Sequence, residues 1–240
     1  MSGPSESPYH VPGVRVSTPV SGTATIAPPA EAVTDLLGLV AYGELAAFDR
    51  MAADARLAPD LSRRARLSEM AAREMASYRR IADRLTELGA APGEAMAPYA
   101  TALQGYHDST EPRDWLEAVT KAYVGDAIAD DFLREIALWL GEPDRRLVLE
   151  VLHDSRYDEF AGAEIRAAIA ADPKVANRLS MWARRLVGEG LSQAGRLAGE
   201  RVTLTALLSA GAGGEPGVPA LFQRLTAAHT DRMAAVGLNN

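Results

Sequence analysis

The 240-residue chain contains no cysteine, four histidines and only two lysines, Lys121 and Lys174. Without cysteine it cannot form disulfides, thiolate zinc sites, iron–sulfur clusters or a cysteine nucleophile. Any metal site would need carboxylates, imidazoles and neutral oxygens, and imidazoles are scarce. Positive charge is not in excess either. Thirty-two acidic against 25 basic residues leave a formal charge of −7, which argues against binding nucleic acid by bulk electrostatics. No apolar run reaches the roughly 18 residues of a membrane span. Aromatics make up only 6% of the chain, and no stretch alternates at period two, so a strand-rich fold is excluded.

What is present points to helices. Alanine is abundant, and from Glu31 onward the apolar residues recur at helical spacing. Nearly all the basic residues are arginine, which together with the alanine reflects GC-rich codon usage more than phosphate binding. Residues 1–30 are rich in proline and small polar side chains and lack the apolar core of a signal peptide. They read as a disordered tail of a cytoplasmic protein. Turn chemistry then divides the chain. A first helix is predicted over Glu31–Arg56, a second over Leu61–Leu88, and a short one within 95–108. A third long helix ends at Leu140, a fourth runs from Glu142-Pro143 to Ala171, and a fifth spans Val175–Leu208. A glycine-rich linker at 211–217 precedes a C-terminal helix within 218–240. Without the Lys-Ser/Thr ending of a phosphate loop, that stretch is a linker only. The predicted architecture is all-α: an up-down four-helix bundle over 31–210 with one or two additional C-terminal helices.

Four acids interrupt the apolar stripes. Glu44 stands between Val40 and Phe48, Glu74 between Ala71 and Tyr78, Asp126 between Tyr123 and Leu133, and Asp154 between Val151 and Ala161. A buried carboxylate costs several kcal/mol unless it is paired, protonated or bound to metal. Four at similar depth would repel one another, and two divalent cations would relieve that repulsion. Pairing with arginines, or placement at the edge of the core, would relieve it equally. Glu44 to Glu74 is 30 residues and Asp126 to Asp154 is 28, so the four helices read as two copies of one hairpin. Glu189 and Gln193 share the apolar face of the fifth helix, Asp130 and Asp131 are expected to be solvated or arginine-paired, and His107 is expected in a loop. The Arg-Arg pairs at 63–64, 79–80, 145–146 and 184–185 suit a solvated surface or an RNA-facing patch.

The segments Asp35-Leu-Leu-Gly-Leu-Val-Ala-Tyr-Gly-Glu44-Leu, Trp115-Leu-Glu-Ala-Val-Thr-Lys-Ala-Tyr-Val-Gly-Asp126, Leu149-Glu-Val-Leu and Arg184-Arg-Leu-Val-Gly-Glu189 together carry a family resemblance. Over about Val33–Leu208 the chain resembles ferritin-like proteins related to tRNA 2-methylthio-isopentenyladenosine hydroxylase. The resemblance implies a ferritin-like bundle holding two iron or manganese ions that activate dioxygen and hydroxylate an organic substrate, such as a modified tRNA nucleoside. Glu44 and Asp126 would be lone ligands, with Glu74 and Asp154 heading two acid-x-x-His motifs. Here the chain departs from the pattern. Ser77 and Tyr157 fill the two histidine positions, leaving Ser77, Tyr157 and Glu189 as additional candidate donors. The partners implied are tRNA or a small-molecule substrate, with no membrane, and a homodimer. The rival expectation is a metal-free ferritin-like bundle serving as a binding or scaffold protein.

Overall fold

The computed structural model describes residues 28–152, 155–201 and 217–239. Helix α1 (Ala30–Asp54) continues into a single 3-10 turn at Ala55–Leu57. Helix α2 (Leu61–Glu87) opens on Asp60, whose carboxylate accepts the Arg63 amide at 2.9 Å. That is the N-cap chemistry expected after Ala58-Pro59. Helix α3 (Pro92–Ser109) has proline in its first turn and runs through an internal Pro98. Helix α4 (Trp115–Lys121), capped by Asp114, passes through a π turn at Ala122–Asp126 into α5 (Ala127–Ala137). Then come α6 (Asp144–Val151), α7 (Ser155–Ala171), α8 (Lys174–Glu200) and α9 (Gly217–Ala235). Among the described residues there is no strand, and no helix is long and apolar enough to cross a membrane.

Three expectations need correction. The short helix within 95–108 is a full 18-residue helix, because Pro92 seeds its first turn and Pro98 is accommodated within it. His107 therefore lies in the last turn of a helix and not in a loop. The single helix expected from 144 to 171 is two, since Leu152 is extended at ψ 153° and ends α6. The third long helix is not continuous α-helix but is interrupted by the π turn. The proposed tail up to residue 27, the linker at 211–216 and the end of the fifth helix beyond 201 lie outside the described residues.

Helix α1 lies along α2 and also against α3. The α1–α3 contact is close because Gly38 has no side chain: a Cβ there would stand 2.3 Å from the Ala95 carbonyl oxygen. Helix α9 belongs to the same core as the bundle, burying Met233, with Val236 and Leu238 just beyond it. Its polar ties include Arg224 to Glu135 (2.8 Å from both Nε and Nη2), Arg232 to Asp131 (2.7 Å) and the Tyr123 hydroxyl to the Arg232 carbonyl (3.1 Å).

The interior is divided. One apolar cluster includes Leu37, Val40, Ala41, Ile81, Leu85, Ile136 and Val151. The other includes Met51, Met70, Ala71, Val119, Tyr123, Ala161 and Leu186. Along α1, along α2 and from α4 into α5 the chain passes from one cluster to the other, and described candidate acids stand at these crossings.

Candidate carboxylate layer

On α1 the crossing falls between Ala41 and Met51, at Glu44. On α2 it falls between Ala71 and Ile81, at Glu74. On α4–α5 it lies between Val124 and Ile136, where Asp126 and Asp130 stand. Glu44 is 6% exposed, Glu74 4% and Asp130 4%, while Asp126 is partly exposed. Burial at this depth means that each charge has to be compensated. On α6–α7 the same crossing lies between Val151 and Ala161. Asp154, with neighbouring His153, lies outside the described residues. Tyr157 is in the first turn of α7, and its side chain likewise lies outside the described residues.

Asp130 was undervalued by the sequence reading. Its arginine partner exists, with Arg134 Nη2 at 3.6 Å, but the carboxylate is buried and not solvated. The available signal was its position four residues after Asp126, on the same helical face. The Ser77 hydroxyl faces the Val151 carbonyl at 3.5 Å. Glu189 on α8 is half-buried, and Gln193 one turn on is buried. The paired arginines are largely engaged on the surface: Arg63 with Asp60 and Glu164, Arg80 with Glu150, Arg145 with Glu142, and Arg185 with the Ser109 carbonyl.

Asp126 is the last residue of the π turn. A π turn inserts one extra residue, shifting every side chain beyond it around the helix, and such turns concentrate at functional sites. It also brings Gly125 against α3, where a Cβ would lie 2.7 Å from the Tyr106 hydroxyl. The Tyr106 phenol is held above its usual range, first by burial and then by the Asp126 carboxylate. Gly125→Ala is expected to cost about 2 kcal/mol in chemical denaturation. Adding Tyr106→Phe should recover most of that loss, because the clash is with the hydroxyl. No recovery in the double variant would show that the glycine serves the turn itself.

Behind Tyr106 lies a second polar cluster. Lys121, only 5% exposed, donates to the Thr110 carbonyl at 2.8 Å and sits 5.4 Å from the Tyr106 ring centroid. Burial lowers its amine to about 8, against the upward pull of Asp54 and Asp126. Burial also raises Asp54 to about 6, opposed by Lys121 and Arg50. His107 is lowered to about 3 by burial and by the charges of Lys121 and Arg50, so it is neutral at physiological pH.

A ferritin-like metal pair draws on one acid from each of two helices and an acid-x-x-His motif from each of the other two. Among the described residues no three His, Asp or Glu side chains group as a metal would require. Serine stands at 77 and tyrosine at 157, three residues after Glu74 and Asp154. Asp154 and the Tyr157 side chain, two positions that such a centre would use, lie outside the described residues.

An all-α bundle with buried acids at the midpoint of its helices defines a ferritin-like protein. More particularly, the chain belongs to the family described as the ferritin-like domain of actinomycetes, whose model matches residues 29–211. No curated protein sequence matches the chain.

Proposed function

We propose that this ferritin-like protein works as a binding or scaffold bundle whose buried acids are compensated by basic and hydrogen-bonding groups and not by a resident metal pair. The donor chemistry carries this reading. Buried acids stand at the crossing between two apolar clusters, yet both imidazole positions are filled by other residues and the Ser77 hydroxyl is turned to a backbone carbonyl.

One observation favours a second reading, a di-metal oxidoreductase of the tRNA hydroxylase kind. Glu44, Glu74 and Asp126 interrupt the core at corresponding points of their helices, and Asp126 is the last residue of a π turn. In that reading, Glu44, Glu74, Asp126 and Asp154 would hold two iron or manganese ions, with Tyr157, Ser77 and Glu189 as further donors. The ions would supply oxygen activation for hydroxylating an organic substrate, a modified tRNA nucleoside among the candidates.

Metal analysis of the full chain, expressed with added iron and manganese, separates the two. The binding reading expects substoichiometric metal in the wild type and no change in Glu74→Ala. Two ions per chain that disappear in Glu74→Ala would overturn it in favour of the oxidoreductase.

A further inference from the structure

The α3 end of the molecule buries charge that it does not neutralise well. An ammonium has three N–H donors. That of Lys121 is given one carbonyl, Thr110 O, and the face of Tyr106. Two further polar groups nearby are buried without a hydrogen-bond partner among the described residues, the Thr120 hydroxyl and Nδ1 of His107. Every element around Lys121 brings charge to it. Helix α1 and its 3-10 turn supply Arg50, Asp54 and Arg56, the link after α3 supplies Glu111, and the π turn supplies Asp126. On α3, His107 is neutral and Asp108 pairs with Arg50 at 3.5 Å. From α8, Arg185 reaches the Ser109 carbonyl, leaving its charge near the same helix end.

We propose that Lys121, buried beneath the last turn of α3, and the partly exposed Asp54 at the end of α1 form a charge-loaded latch that makes this end of the bundle open preferentially, exposing the partly covered Asp126 further. The geometry links the parts. Thr110, which Lys121 holds, is the residue that ends α3. Tyr106, one turn earlier, rests its hydroxyl on Gly125, next to Asp126. Lifting that turn therefore withdraws the tyrosine from the layer. The device is independent of what the layer binds.

The direction of the pH dependence follows from which form each group prefers when closed. Asp54 titrates at about 6 when closed and near 3.8 when solvated. It therefore contributes closing stability at low pH, which is lost as pH rises through about 6. Lys121 titrates at about 8 when closed and near 10.5 when solvated. It contributes closing stability at high pH, which is lost as pH falls through about 8. Opening is easiest between the two values, where both charges are present.

Amide hydrogen exchange on the full chain, corrected for intrinsic rates, tests this from about pH 5 to about pH 9.5. The amides of residues 104–110 should show least protection between the two titrations and rise on either side, relative to α1 and α2. Lys121→Met should slow their exchange at neutral pH about tenfold and remove the high-pH limb. Asp54→Asn should remove the low-pH limb. A flat wild-type profile over residues 104–110 overturns the proposal, and this needs no variant to fold. So does a folded Lys121→Met protein in which those amides exchange faster than in wild type.

Discussion

Replacing Gly38 by alanine is expected to lower the unfolding free energy by about 3 kcal/mol. The added Cβ would lie 2.3 Å from the oxygen and 2.7 Å from the carbon of the Ala95 carbonyl. Those are backbone atoms of α3, so no rotamer change can relieve the overlap, and α1 and α3 would have to separate. Their separation would loosen Leu36, Leu37 and Tyr99, all fully buried. Gly43, on the same helix, is the control: nothing described lies within 4 Å of its Cβ position. Gly43→Ala should gain up to about 1 kcal/mol from helix propensity alone. Denaturant titration of the two variants should move in opposite directions. A Gly38→Ala protein as stable as wild type would mean that the two helices are not in contact there.

Asp35→Ala should be nearly as damaging, costing about 3 kcal/mol. Tyr99 is completely buried and donates its hydroxyl to Asp35 Oδ1 at 2.6 Å. The Arg201 guanidinium reaches the same carboxylate and lies 5.7 Å from the centroid of the Tyr99 ring. Removing the acid leaves a cation against an apolar cluster and takes away the tie that brings the end of α8 onto α1 and α3. Asp35→Asn keeps a hydrogen-bond acceptor for Tyr99 and should recover part of the loss. Urea unfolding gives the energy, and hydrogen exchange near Arg201 shows whether the α8 terminus is released. A loss below about 1 kcal/mol would place this contact with ordinary surface ion pairs.

The all-α class was legible because helical spacing persists from Glu31 onward and each long helix is bounded by Pro, Gly or Asp. Glu44 and Glu74 were legible as buried acids because they break otherwise apolar stripes, and both are buried. The π turn was not legible. It changes the angular period over only five residues, Ala122–Asp126, too short a span to register in a hydrophobic pattern. Lys121 was passed over for a related reason: its burial comes from Tyr106 and Thr110, which α3 brings over it, and the stripe on its own helix does not announce this. Helix α3 is longer than the sequence pattern suggests: it holds an interior proline, Pro98, which removes a backbone hydrogen bond and weakens the helical signal. His107 was misplaced with it. The division at Leu152 carries no glycine or proline to mark it. Asp130 is expected from the sequence to be solvated or arginine-paired. The pair exists, yet the carboxylate is interior.

The carboxylate layer has a consequence for how the helices find their places. Two apolar clusters built from similar residues offer little to stop a helix from sliding along its axis, since one aliphatic side chain can replace another with small loss. A slip of one turn, about 5.4 Å, would move Glu44 to the depth of Val40 or Phe48, and Glu74 to that of Met70 or Tyr78. An ionised carboxylate would then enter an apolar cluster at a cost of several kcal/mol. The acids therefore act as axial stops, fixing the alignment of α1 and α2 whether or not the layer ever holds a ligand. Neutral, shape-matched replacement of Glu44 and Glu74 together would remove the stops. It would leave a bundle with several near-equivalent alignments.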